Sequence, residues 1–235
     1  SGSSPPKISL FTRTSALDMA MFPRVLGRRV VAATKWLELQ TVRYLDAAGS
    51  ERAWDMVHRV TSPAPRLRLV AEPLPAAERR PDAVAILALL HSSTGPDLLL
   101  VRQFRPPVDA HTIELPAGLV DAGETPADAA LRELREETGY VGCVRSASLA
   151  LCLSPGLTSE TVSLVTVDVD MSREENRHPI AMPDEGEFVE CISVNLGGLS
   201  EELDRREQAG DVVFAAVRTI AAGLSLVGGN CGSKL

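Results

Sequence analysis

The chain reads as a mixed α/β protein, with helices around a mixed sheet and a small antiparallel meander ahead of it. Three observations predict this. Short apolar runs bounded by Gly, Pro, Ser or Asp recur along the 235 residues, one strongly capped helix lies mid-chain, and two further helical stretches close it. A hydrophobic content of 45% with 23% charged residues is that of an ordinary globular protein. No apolar run approaches the ~20 residues needed to cross a bilayer, so no membrane partner is expected. A net charge of -7 argues against a nucleic-acid-coating surface, which needs clustered Lys and Arg.

Residues 1–28 read as a leader or N-terminal arm, Arg-rich and acid-poor from Phe11 onward. The meander is expected over 29–62, with strands at 30–33, 36–44 and 52–60 and a turn at 46–50. A Pro- and Ala-rich connection, 62–80, leads to the main domain over 80–226. There 83–90 and 98–104 suit two buried strands joined by a Ser/Thr/Gly/Pro loop. Residues 125–138 form the clearest helix, with Thr125 as cap, Pro126 at the first helical position and Gly139 closing it. Strands are expected over 144–153, 161–169 and 188–194, and helices over 199–208 and 212–224. The tail, 227–235, carries Gly228, Gly229 and Gly232. Cys143, Cys152, Cys191 and Cys231 show neither a CxxC spacing nor a disulfide rhythm, and read as free thiols.

The chemistry concentrates between Gly118 and Tyr140. Helical spacing puts Glu133 and Glu137 one turn apart on one side with Glu136 beside them. Like charges so placed repel, at a cost of a few tenths of a kcal/mol in an isolated helix. A divalent cation removes that penalty, and carboxylates are the hard oxygen ligands that Mg²⁺ or Mn²⁺ prefers. Arg132 stands four residues before Glu136 and can hold a carboxylate in place. A solvated charged helix face would predict none of this spacing, and it leaves Gly118 and Glu124 unexplained.

These residues fit the pattern G-x5-E-x7-R-E-U-x-E-E-x-G-U, U being bulky and apolar, with Tyr140 the one soft departure at the last position. Seven fixed residues at average usage coincide on the order of once in 10⁸ windows, so chance is no rival. The segment therefore resembles the signature of the Nudix hydrolases. The resemblance implies an α/β/α sandwich and hydrolysis of a nucleoside diphosphate joined to another moiety. It implies metal ligation by Glu133, Glu137, Glu136 and the Ala117 carbonyl, with Arg132 in support.

The flanking segments, 114–118, 102–107, 154–156 and 186–190, are similar to those of ADP-ribose and ADP-sugar pyrophosphatases. That likeness implies Mg²⁺-dependent cleavage to AMP and a sugar phosphate. It implies substrate contacts from Trp36, Trp54, Asp55, Arg59, Arg105, Leu119 and Ser154. Trp36 and Trp54 would sandwich adenine, one indole coming from the partner subunit of a swapped homodimer. From the residues alone they would read as core packers, and Arg105 as a surface arginine. Glu187 matches the expected general base, with Glu136 and Glu137 of the signature segment 118–140, the Nudix box, as the other candidates. Oxidised guanosine diphosphates, NADH and coenzyme A stand as other diphosphate substrates, and a silent ADP-ribose-binding module as the non-enzymatic reading.

The last three residues, Ser233-Lys234-Leu235, spell the peroxisomal import tripeptide. An import receptor is the implied partner, the peroxisome or the related glycosome the expected location, and the cytoplasm the second.

Overall fold

The computed structural model describes residues 23–60, 75, 78–93, 95–182, 186 and 188–228. They fall into two compact units, one of 23–60 with 154–159 and the other of 75–153 with 160–228. The tail tripeptide, Cys231 and Glu187 lie outside the described residues.

The first unit is a three-stranded antiparallel sheet in the order β1 (Arg24–Ala33), β2 (Leu37–Leu45), β3 (Glu51–Arg59). In the turn between β2 and β3, Asp46 accepts from the Ala48 and Ser50 amides at 2.9 Å each, and Gly49 takes φ 78°. Strand β1 starts at Arg24, inside the stretch that the sequence suggests is an arm. Its pairing with β2 is made by backbone, and its arginines point to the surface, so no apolar alternation announces it. Residues 154–159 run beside β3: the Val57 amide donates to the Leu157 carbonyl at 2.9 Å, and Thr158 bridges to Val57 in parallel.

The second unit is built on a sheet ordered β12 (Val212–Val213), β6 (Ala110–Glu114), β5 (Gly95–Arg105), β4 (Ala83–Ser92), β10 (Thr161–Asp170), β8 (Cys143–Ala147). Strand β11 (Glu190–Asn195) pairs β5, β7 (Ala117–Leu119) pairs β4, and β9 (Leu151–Cys152) pairs β10. The β10/β4 and β12/β6 pairs are parallel and the rest antiparallel, so the sheet is mixed as expected.

Period-two alternation places the core on both faces. On one side Val84, Ile86, Ala88 and Leu90 meet Ala130 and Leu134 of α1 (Pro126–Thr138). On the other, Leu98, Leu100 and Ile113 meet Leu203 of α3 (Leu199–Gln208) and Val217 of α4 (Ala215–Gly228). Each large side chain so buried stabilises the fold by about 1.5–3 kcal/mol. The result is the α/β/α sandwich.

Several expectations are corrected. The strand at 144–153 is two short ones, β8 and β9, both on β10. The helix expected from 212 begins at Ala215, because Val212 and Val213 pair with Thr112 and Ile113 as a strand. Two apolar residues beside a helix carry no period of their own, so the sequence merged them. The small strands β6 and β7, and the one-turn helix α2 (Glu174–Arg177), gave no signal for the same reason.

Candidate active site

Helix α1 starts where the sequence asks it to. Thr125 is extended at φ −88°, ψ 157°, and its hydroxyl accepts from the Asp128 amide at 3.2 Å. Gly139 ends it at φ 76°, its amide on the Arg135 carbonyl at 2.8 Å. Thus Arg132, Glu133, Glu136 and Glu137 sit on a rigid element whose apolar side is locked into the sheet.

Arg132 is the hub of the site. Its guanidinium grips Glu124 with two parallel bonds of 2.9 and 3.0 Å, and donates to Glu133 at 2.8 Å and Glu136 at 3.0 Å. A further bond of 2.9 Å goes to the Leu119 carbonyl. One arginine therefore organises three carboxylates and a strand, where helical spacing alone predicts one carboxylate for it to hold. Glu124, foremost among its partners, raises the arginine's pKa, and Arg132 in turn holds the Glu124 carboxyl below its ordinary range. Glu124 also accepts from the Asp121 amide at 3.0 Å, which fixes the loop before the helix.

Strand β7 supplies the facing wall. It pairs with β4 as Ala83↔Leu119, Val84↔Gly118 and Ala85↔Ala117. The Ala117 amide donates to the buried Glu137 carboxylate at 3.1 Å. A Cβ built on Gly118 would land on the Glu133 carboxyl group. Close approach, and no left-handed backbone, is what demands glycine there; Gly123, at φ 88°, serves the turn.

The carboxylates of Glu133, Glu136 and Glu137, beside a cradle that any side chain at Gly118 would fill, fit a hard divalent cation in donor chemistry. Among the described residues no three acidic, His or Cys side chains close on one point. Arg132 shares Glu133 and Glu136, so a cation would compete with the guanidinium for their oxygens.

Arg105 lies at the end of β5, and its fork is engaged by Glu114, Nε to Oε1 and Nη2 to Oε2, both at 2.9 Å. The edge that the sequence offers to a phosphate is thus already bidentate on a carboxylate. Burial pushes the Glu114 carboxyl up, but Arg105 and the Thr112 hydroxyl outweigh it and hold it below its ordinary range. Sequence reasoning missed Glu114; its spacing from Arg105 across the turn of one hairpin is the signal for it.

Behind the helix, buried Asn176 clamps the following loop, accepting from the Val141 amide and donating to the Val141 and Asp170 carbonyls, each at 2.9 Å. The Met182 amide then donates to the Glu136 carbonyl at 2.8 Å, which docks that segment on the last turn of α1.

In the first unit both tryptophans are about half exposed, Trp36 at 56% and Trp54 at 53%, so neither is a core packer. Lys35 stacks over the Trp36 ring at 4.2 Å, and the Trp54 indole donates to the Gly156 carbonyl at 3.0 Å. Trp54 is registered with Val42, while Trp36 precedes β2, so their backbones stand on the order of 20 Å apart along the ribbon. The structure does not bring the pair together in one copy. Asp55 accepts from the Thr41 hydroxyl at 2.7 Å, Arg59 closes β3 opposite Leu37, and the Ser154 carbonyl caps the Leu157 and Thr158 amides.

Comparison with known proteins bears on the family and the fold. Residues 79–215 match the NUDIX domain family. The chain is 40% identical over 190 residues to an uncharacterised Nudix hydrolase of Schizosaccharomyces pombe, covering 81% of this chain and 86% of that protein. It is 42% identical to the ADP-ribose pyrophosphatase of Saccharomyces cerevisiae, covering 81% of this chain and 77% of the relative. With the ADP-sugar pyrophosphatase of Mus musculus the identity is 35%, over 77% of each chain. A crystal structure of an ADP compounds hydrolase superposes with a TM-score of 0.54 at 18% identity, over 88% of this chain and 96% of the other, which supports the fold. With the box carboxylates mounted on a sandwich of this kind, the chain belongs to the Nudix family.

Proposed function

We propose that the protein hydrolyses the diphosphate of ADP-ribose or a related ADP-sugar to AMP and a sugar phosphate, with Mg²⁺, or Mn²⁺ in its place. The observation that carries this reading is the cluster in which Arg132 holds Glu124, Glu133 and Glu136 while Glu137 is fixed on Ala117. Relatives named ADP-ribose and ADP-sugar pyrophosphatases support the substrate class.

When bound, the cation neutralises the diphosphate and lowers the pKa of a coordinated water. Glu133, Glu136 and Glu137 would hold it. Arg132 keeps Glu133 and Glu136 in place before substrate arrives, and the Ala117 amide does the same for Glu137, so little reorganisation is needed. Arg105 would have to exchange its bidentate bond to Glu114 for one to a phosphate in order to bind the diphosphate. Glu187 or a box carboxylate takes the proton of the attacking water, a task asking only modest basicity. Trp54 and Trp36 stack the base, Asp55 and Arg59 confer selectivity on it, and Leu119 and Ser154 complete the substrate contacts. The separation of the tryptophans along one ribbon favours a homodimer in which each site takes an indole from each copy. The proposed location is the peroxisome or glycosome, reached through the import receptor, with the cytoplasm second; the tripeptide Ser233-Lys234-Leu235 supports it.

The test is a panel of ADP-ribose, ADP-glucose, NADH, coenzyme A and oxidised guanosine diphosphates, measured as kcat/KM with Mg²⁺ and with Mn²⁺. ADP-ribose or an ADP-sugar should lead, and Glu137→Gln should lower turnover by orders of magnitude with the fold intact. Near wild-type turnover in that variant rules out the cluster as the catalytic site.

A further inference from the structure

The N-terminal sheet holds a cleft of about 450 Å³, within the ~300–1,000 Å³ range of small-molecule sites. Val42 and Met56 form its buried floor, with Tyr44 beside them and Trp54 as a wall. The bond from the Trp54 indole to Gly156 fixes that wall and leaves the ring half exposed. Arg24 and Arg28 line the same cleft, and among the described residues no carboxylate does. The contrast within this one sheet is informative. Arg43 is paired with Glu51 and Arg52 with Asp46, whereas Arg24 and Arg28 have no hydrogen-bond or ion-pair partner among the described residues. A third polar group waits there too: the Thr158 hydroxyl is buried in the lining without a partner. Unsatisfied buried groups in native folds are uncommon and point to something that completes them.

An aromatic wall, an apolar floor and two free guanidiniums fit a planar base carrying an anion close by. Under the proposed hydrolysis the 5′-diphosphate is met by the cation that the carboxylate cluster would hold. Guanidiniums in the sheet are surplus to ADP-ribose itself. We propose that Arg24 and Arg28 read a further phosphate on the adenosine ribose, at its 2′ or 3′ oxygen. ADP-sugars that carry this additional phosphate are then bound more tightly than those without it. This rests on the reading that Trp54 stacks the base. Guanidinium pairs with a dianionic phosphate in two-point fashion.

The experiment is calorimetric titration of the full chain with adenosine 2′,5′-bisphosphate, adenosine 3′,5′-bisphosphate, AMP and adenosine. At least one bisphosphate should bind about tenfold or more tightly than AMP, and added salt should shrink that ratio. Arg28→Gln and Arg24→Gln should each move it toward one, while Trp54→Ala should weaken AMP and the bisphosphates alike. Whether the 2′ or the 3′ ester leads identifies which position is read. Equal binding of AMP and both bisphosphates overturns the proposal, as does a preference that both arginine variants retain. An arginine-dependent preference of AMP over adenosine with no gain from the second phosphate also overturns it, since the 5′ group is then what is read. If instead a second copy fills the cleft, the arginine variants shift the oligomeric state and no bisphosphate preference appears. Glu137→Gln should keep the preference while losing turnover. A chain that shows the preference yet cleaves no ADP-sugar keeps this site and loses the hydrolase reading.

Discussion

Gly118 and Glu133 define the tightest contact of the site. The carboxyl group occupies the space a Cβ at position 118 would take. Gly118→Ala is expected to push Glu133 off its bond to Arg132 and lower kcat/KM on the order of a hundredfold. The thermal midpoint should move little, because the backbone there is ordinary; an unfolded variant would show that the glycine serves the fold and not the site. Glu114 allows a second test at this scale. Its folded pKa lies below the ordinary 4.5, so its pairing with Arg105 stabilises the fold fully above that pH and is lost as the pH falls through the depressed value. Glu114→Gln should therefore melt below wild type at neutral pH, with the gap closing as melts are taken from about pH 7 down to about pH 3. A gap that stays constant with pH would mean that the pair contributes nothing through its charge.

Helix α1 shows how one element serves both stability and site. Leu134 locks one side into the sheet while Glu133 and Glu137 face the strand β7, and the end of the helix receives the segment carrying Ile180 and Met182. Gly139 has to satisfy two conditions at once, a left-handed φ of 76° and the backbone of Ile180 where its Cβ would be. Gly139→Ala should lower stability by at least about 1 kcal/mol in chemical denaturation, more than Gly123→Ala, whose Cβ would meet open space. Equal losses would leave the Ile180 contact without weight. The capped helix and its glutamates were legible in the sequence because a period of 3.6, a cap and fixed spacings are all local. So were β4 and β5, which are long and apolar. What stayed hidden was non-local. The three-residue β7, the two-residue β12 and the grip of Glu114 on Arg105 depend on neighbours that only the folded sheet supplies. Arg132 was read through Glu136 alone, because Glu124 lies in a loop whose return to the helix no periodicity announces.

The whole molecule poses the question of where the second indole comes from. If Trp36 of one copy and Trp54 of the other flank the same base, Trp36→Ala and Trp54→Ala should each be impaired alone. Coexpressed, the two variants should recover about a quarter of wild-type activity, because a mixed dimer has one intact site. No recovery, or an active monomer by light scattering, rules out sharing across copies. The bond from Trp54 to Gly156 has a further consequence, in time and not in space. It spans 102 residues of sequence, as the neighbouring His58 to Ser159 contact spans 101. A ribosome making this chain releases the N-terminal ribbon long before the segment that flanks β3 exists. For that interval its valines and tryptophans are open to chaperones and to other nascent chains. Assembly of the aromatic cleft is thus a late event in folding, governed by long-range closure. Conditions that slow synthesis or refolding should harm the cleft before they harm the carboxylate helix.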